Sequence, residues 1–171
     1  RRYVALIGVE NTHALEMLES MYTELETNDL LLANFPEVCY PLVCLEGIPQ
    51  RRLLDHAEQI RLRMRGDKII LPYIEGSQAA GAVLHIAGIT GRIRGMKHKL
   101  SGGEAIRPDL TIVDDPQTDD SARMPEQCAY REKIVAGAVL GLAGPKTLIA
   151  VLLPCTVIYT GDRADKCSLK P

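Results

Sequence analysis

Short apolar runs alternate with amphipathic segments along most of the chain, and the first of each kind opens it. The run at 3–7 is apolar and ends at Gly8. The next segment carries Ala14, Leu18 and Leu25 at helical spacing, with glutamates between them. A strand followed directly by a helix is the repeating unit of doubly wound α/β proteins. We therefore predict a fully buried strand at 3–7 and a helix after it.

Further apolar runs predict the remaining strands. The runs at 68–73 and 82–87 are joined by a glycine-containing connection and are expected to pair as an antiparallel hairpin. The almost purely aliphatic run at 147–153 is expected to form a central strand. We interpret 39–45 as a short strand and 51–65 as a basic surface helix. Together these elements predict an α/β fold, with a mainly parallel, doubly wound sheet and an added antiparallel hairpin.

The run at 110–113 ends abruptly in two carboxylates, Asp114 and Asp115, and Pro116 then stops the strand. Ligands of open α/β sheets sit outside the carboxyl ends of such strands. Because two adjacent acids repel each other, a cation between them and a phosphate would explain the pair. This is the pattern of a Walker B element, in which the first acid helps to hold Mg²⁺ and the second orients water. The alternative is an ordinary Asp-Asp-Pro turn.

Composition narrows the class of protein. The chain has 171 residues, of which 46% are hydrophobic and 25% charged, as expected for one soluble globular domain. Its formal net charge of -2 produces no global field that would attract nucleic acid. No apolar run reaches membrane-spanning length. The five cysteines are scattered without a C-x-x-C pair, which favours a reducing, cytoplasmic setting.

Positive charge is concentrated locally at 92–99. This segment contains Arg92, Arg94, Lys97 and Lys99. Charge runs are usually solvated surface, so a solvent-exposed hairpin is one interpretation. The other is contact with phosphate or DNA, for which Arg92, Lys97 and Lys99 are the candidates.

The segment GLAGPKT at 141–147 superficially suggests a phosphate-binding loop. A Walker A element needs Gly directly before its Lys and a helix after it, so that backbone N–H groups face the phosphates. Here Pro145, which has no N–H, precedes Lys146, and a strand is predicted next. We interpret the segment as the turn after a helix whose apolar stripe is Cys128, Val135, Ala138, Val139 and Leu142.

The chain therefore contains a candidate Walker B element without a Walker A element. Its sequence opens directly on an apolar strand and has no initial Met. We expect that it is a fragment and that the phosphate-binding loop lies upstream of Arg1. The polar tail at 161–171 is expected to be a linker.

Three segments, 86–100, 107–123 and 136–158, resemble the large terminase subunit of tailed bacteriophages and prophages, the motor that packages DNA. That family has an N-terminal P-loop ATPase domain of the RecA-like (ASCE) type and a C-terminal nuclease domain of RNase H type. The resemblance implies that 1–160 is a partial ATPase domain and that 161–171 leads towards a nuclease domain absent from this sequence.

The resemblance also implies roles for individual residues. Asp114 would be the Walker B acid that holds Mg²⁺, and Asp115 would be the carboxylate that activates water for ATP hydrolysis. The family more often has Glu at the second position. Arg94 would contact nucleotide phosphates or a neighbouring subunit, and Thr156, which follows Cys155, would sense the γ-phosphate.

The implied partners are double-stranded DNA, the portal protein and the small terminase subunit, with the intact protein forming a homo-oligomeric ring in the cytoplasm of a bacterial host. The isolated chain is expected to be inactive. Two other functions remain open. One is a non-enzymatic DNA-binding or assembly module that uses 92–99, and the other is a P-loop ATPase of helicase or recombinase type.

Overall fold

The computed structural model of the protein describes residues 2–46, 50–52, 59–61, 63–100, 103–145, 147–162 and 164–165. Its centre is a six-stranded sheet in the order β10-β9-β1-β6-β5-β4, and two small two-stranded sheets pair β2 with β3 and β7 with β8. The strands are β1 (Tyr3–Gly8), β2 (Gln50–Arg52), β3 (Gln59–Arg61), β4 (Arg63–Arg65), β5 (Lys68–Ile70), β6 (Val83–Gly88), β7 (His98–Lys99), β8 (Ala105–Ile106), β9 (Leu110–Val113) and β10 (Ala150–Leu152).

Parallel pairing joins β10, β9, β1 and β6, whereas β5 and β4 add an antiparallel edge. The expected α/β class with a mostly parallel sheet is therefore confirmed. So is the predicted hairpin, since β5 pairs antiparallel with β6. The predicted burial of the first strand is also confirmed, because β1 lies between β9 and β6 and four of its side chains are at most 1% exposed.

Helices cover both faces of the sheet. On one face, α1 and α3 pack with Leu6 and Ile86. On the other face, the π-helical turn that follows α5 packs with Ala5, Ile7 and Val113. The helices are α1 (Asn11–Thr27), α2 (Asp29–Asn34), α3 (Pro36–Leu45), α4 (Asp119–Ala122) and α5 (Pro125–Ile134), and α5 continues into the π-helical turn Val135–Val139. None of the helices in the described ranges has both the length and the hydropathy needed to cross a membrane.

The structure corrects three sequence predictions. The segment 39–45 belongs to α3, since a short apolar run looks alike in a buried strand and in a helix. The described residues within 51–65 form strands, not a basic helix. The aliphatic run at 147–153 contains only the short β10, which lies at the edge of the sheet, and Leu148 before it is 94% exposed.

Candidate functional site

The order of the strands creates a crevice beside β1. From β1 the chain passes to β6 on one side, and it then crosses to β9 and β10 on the other. In open α/β sheets, ligands bind at the carboxyl ends of the strands where the strand order reverses in this way. Asp114 and Asp115 follow β9 directly, so both acids lie at this crevice.

Backbone hydrogen bonds tie the two acids to the strands on either side. The N–H of Asp114 donates to the carbonyl oxygen of Ile7 over 2.8 Å, and the N–H of Asp115 donates to that of Pro154 over 3.1 Å. Asp115 has a φ of 34°, in the left-handed region. Among non-glycine residues, Asp and Asn tolerate this region best, so Asp suits the position better than Glu does. Strain of this kind concentrates at functional sites.

Several groups set the pKa of Asp115, and their sum raises it. Burial raises the pKa most, and the charge of Asp114 raises it further. The backbone N–H of Thr156 lowers it by hydrogen bonding to the carboxylate, while Asp162 raises it and His13 lowers it by their charges. The structure thus places Asp115 and Thr156, two of the residues predicted from sequence, close to each other. A carboxylate with a raised pKa is a better proton acceptor for a water molecule.

Asp162 fixes the turn that follows Thr156, and sequence reasoning missed it because it stands in an ordinary polar turn. The residue is fully buried. Its carboxylate accepts backbone N–H groups of Ile158 at 2.8 Å, of Tyr159 at 2.9 Å and of Asp165 at 2.9 Å. Burial raises the pKa of Asp162. These hydrogen bonds, together with one from Ala164, lower it by more than burial raises it, so the pKa lies below the ordinary value.

Two buried polar atoms at this end of the sheet have no hydrogen-bond partner, namely Nδ1 of His13 and Oδ1 of Asp115. His13 packs against the end of β1, where a Cβ added at Gly8 would lie 3.0 Å from Nδ1. Buried polar atoms are normally satisfied, so unpaired ones often mark a place where water or an ion binds. The signal for His13 in the sequence was its position in the first turn of a helix after a buried strand.

The described residues contain no group of three or more His, Cys, Asp or Glu arranged to hold a metal ion. Mg²⁺ does not need such a group, because it keeps several waters and binds through one or two carboxylates together with substrate phosphates. The adjacent carboxylates Asp114 and Asp115, with the unpaired Oδ1 of the second, fit an ion of this kind.

The other predicted residues lie elsewhere. Arg94 is in the loop after β6 and reaches the π-helical turn, since a Cβ added at Gly137 would lie 3.8 Å from its Nη2. Because β1 separates β6 from β9, roughly 10 Å of sheet lies between this loop and the acids. Arg92 and Lys97 share a cavity with Arg94, whereas Lys99 lies in β7. The structure therefore groups Arg94 with the basic residues, apart from Asp114.

His85, in the middle of β6, belongs to a chain of polar contacts that runs from the buried Tyr3 to the exposed Asp67. The hydroxyl of Tyr3 and Nδ1 of His85 are 2.6 Å apart, and Nε2 of His85 is 3.1 Å from a carboxylate oxygen of Asp67. Burial and the charge of Asp67 raise the pKa of Tyr3 to about 12. Burial and then the charge of Lys68 lower the pKa of His85, and Asp67 opposes them.

No protein-family model matches the chain, and no curated protein or solved structure is significantly similar to it.

Proposed function

We propose that this chain is part of the ATPase motor of a bacteriophage or prophage terminase large subunit. The intact enzyme would hydrolyse ATP with Mg²⁺ and drive viral DNA into procapsids. One observation carries the proposal. Asp115, directly after a buried parallel strand, donates its backbone N–H to the carbonyl oxygen of Pro154 after the neighbouring strand, and this places the N–H of Thr156 close enough to the Asp115 carboxylate to lower its pKa. The resemblance to terminases implies that Asp115 and Thr156 are the acid that activates water and the residue that senses the γ-phosphate.

Each residue at this end of the sheet has a separate role in the proposed reaction. Asp114 would hold Mg²⁺, whose charge offsets that of the ATP phosphates. Asp115 accepts a proton or hydrogen bond from the attacking water, because its pKa is raised and its Oδ1 is unpaired. Thr156 is exposed, so its hydroxyl can reach a bound phosphate while its N–H lies near the carboxylate of Asp115. Movement at Thr156 would then change the orientation of Asp115 and couple nucleotide state to chemistry.

The free edge of β10 is where a phosphate-binding strand would join this sheet. Both sides of β9 are occupied, by β1 and β10, so additional polypeptide cannot pair with the strand that carries the acids. Among the described strands, β10 pairs only with β9, and Leu148 and Leu152 beside that edge are exposed. A strand added there would bring its terminal loop to within two strand spacings of Asp114.

The proposal includes the partners that a packaging motor needs. These are double-stranded DNA, the portal protein and the small terminase subunit, in the cytoplasm of a bacterial host. A ring of head-to-tail subunits would allow one subunit to complete the site of its neighbour.

ATP hydrolysis by the full-length product of the gene tests the proposal. We expect Asp114→Ala to lower kcat at least about a hundredfold, because the Mg²⁺ that offsets the charge of the phosphates would no longer be held in place. Asp120→Ala is the matched control, since Asp120 is an exposed acid on α4 and its loss should leave turnover unchanged. Turnover that survives Asp114→Ala would overturn the assignment of the site.

Metal binding tests the same acids in the 171-residue chain alone, which contains no Walker A sequence. Mn²⁺ should selectively broaden the amide NMR signals of Asp114, Asp115 and Thr156, and Asp114→Ala should remove the effect. Uniform broadening in both proteins would argue against a cation site here.

A further inference from the structure

A cavity lies across β1 from the acids, between the start of α1, β6 and the loop that follows β6. Its volume is about 470 Å³, within the range of ligand-binding pockets. The polar residues on its wall are Asn11, Asp67, His85, Arg92, Arg94 and Lys97. The cavity therefore gathers three of the four cations of the basic segment, and it leaves out Lys99.

Buried apolar side chains hold the basic loop in place. Ile93 is 2% exposed and Met96 is 4% exposed, and both belong to the main hydrophobic core. Arg92, Arg94 and Lys97, which alternate with these anchors, are exposed. The charged groups are thus presented to solvent by a loop whose backbone is anchored at two points, which reduces the entropy lost when a ligand binds.

The cavity is electropositive. No carboxylate within the described ranges lies at salt-bridge distance from Arg92, Arg94 or Lys97. The one acid on the wall, Asp67, is engaged by His85 at 3.1 Å. Asn11 is the first residue of α1, so the positive end of a 17-residue helix also borders the cavity.

We propose that this cavity binds a phosphate group, carried either by a nucleic-acid backbone or by a free nucleotide. The arginine guanidinium groups can each donate two parallel hydrogen bonds to phosphate oxygens, and Lys97 adds a point charge. The site is distinct from the acidic crevice and does not depend on the proposed ATPase activity, because neither Asp114 nor Asp115 contributes to it.

Titration of the 171-residue chain with sodium phosphate, followed by amide NMR shifts, tests the cavity. We expect saturable shifts at Asn11, Gly95 and Lys97. The variants Arg94→Ala and Lys97→Ala should each weaken binding about tenfold, because a charge-assisted hydrogen bond is lost. All the altered side chains are exposed, so the fold should persist.

Lys99→Ala is the matched control, since Lys99 is exposed, carries the same charge and lies two residues from Lys97 but off the wall of the cavity. It should change phosphate affinity by less than about twofold, because an exposed charge away from the ligand contributes little. An equal effect of Lys97→Ala and Lys99→Ala would overturn the proposal in favour of a diffuse field, and shifts confined to Asp114 and Thr156 would overturn it in favour of the acidic crevice.

A short mixed-sequence DNA duplex and ADP without Mg²⁺ distinguish the two sources of phosphate. If the source is a nucleic-acid backbone, Lys97→Ala should reduce the salt dependence of duplex binding by about one phosphate contact and Lys99→Ala should not. If it is a nucleotide, Lys97→Ala should weaken ADP binding alone. Insensitivity of both ligands to Lys97→Ala would refute the site. Asp114→Ala should alter neither, which separates this result from the fate of the ATPase proposal.

Discussion

The acidic crevice and the basic cavity lie on opposite sides of β1. Each brings together side chains of like charge, but different interactions hold these side chains in place. The acids are partly or fully buried and depend on backbone N–H donors, above all at Asp162. The cations stay exposed, and buried neighbours such as Ile93 hold their loop. Burying a charge is costly unless hydrogen bonds satisfy it, whereas an exposed charge costs little. The stability of the crevice should therefore depend on its charged groups, and that of the cavity on its apolar supports.

Substitution of Gly88, at the end of β6, should produce the largest loss of stability, because its backbone lies against the backbone of Glu10 and Asn11 beside the basic cavity. A Cβ added at Gly88 would lie 2.6 Å from the backbone nitrogen of Asn11 and 2.8 Å from the carbonyl carbon of Glu10. We expect Gly88→Ala to lower the free energy of unfolding by about 3 kcal/mol, measured by urea denaturation. Gly137→Ala is the control, since its Cβ meets only Arg94 at 3.8 Å. Equal losses would show that the short contact is not the cause.

Substitution of Ile93, an apolar anchor of the basic loop, should produce the second largest loss of stability. Ile93→Ala removes a side chain that is 2% exposed and leaves a void in the core, which should cost about 2–3 kcal/mol of unfolding free energy. Its neighbour Arg92 is exposed, and Arg92→Ala should change stability by less than about 0.5 kcal/mol. If both variants were equally destabilised, the contrast between support and charge in this loop would be wrong.

In the acidic crevice, unlike in the basic loop, we expect a charged side chain to make a large contribution to stability. Asp162→Asn replaces an acceptor of several backbone N–H groups and should cost about 1–2 kcal/mol at neutral pH. Because the folded-state pKa of Asp162 is lowered, its contribution is present above the ordinary pKa and is lost as pH falls through the lowered one. Thermal unfolding of the wild-type protein and of Asp162→Asn should show that the difference between their Tm values shrinks as the pH is lowered. A difference that persists in strong acid would point to packing instead.

The smallest effect should have the opposite sign. The pKa of Asp115 is raised by burial and by Asp114, so the folded state binds a proton more readily than the unfolded state does. Stability is therefore lost as pH rises from the ordinary pKa to the raised one. Asp115→Asn removes this cost and tolerates the positive φ, so it should raise Tm at neutral pH by roughly 1–2 °C. Below the ordinary pKa the two proteins should melt alike. A lower Tm at neutral pH would show that the charge stabilises the crevice.

Sequence alone was sufficient for features encoded by neighbouring residues. The buried strand at 3–7, the hairpin of β5 and β6 and the position of Asp114 directly after β9 all follow from local apolar periodicity. The stripe predicted for the helix before β10 is buried at every position, Cys128, Val135, Ala138, Val139 and Leu142. A pattern repeated every two residues or every 3.6 residues specifies which face of an element is apolar, and burial of that face follows from the hydrophobic effect.

Only the tertiary structure decided which distant residues meet. It made β10 an edge strand although its sequence is aliphatic, and it formed α3 where a strand was expected. It placed Asp115 near Thr156 and Asp162, and it separated Arg94 from Asp114 and Asp115. The physical reason is that strand order depends on pairing between segments far apart in the chain, and the loops at strand ends acquire their neighbours only from that order.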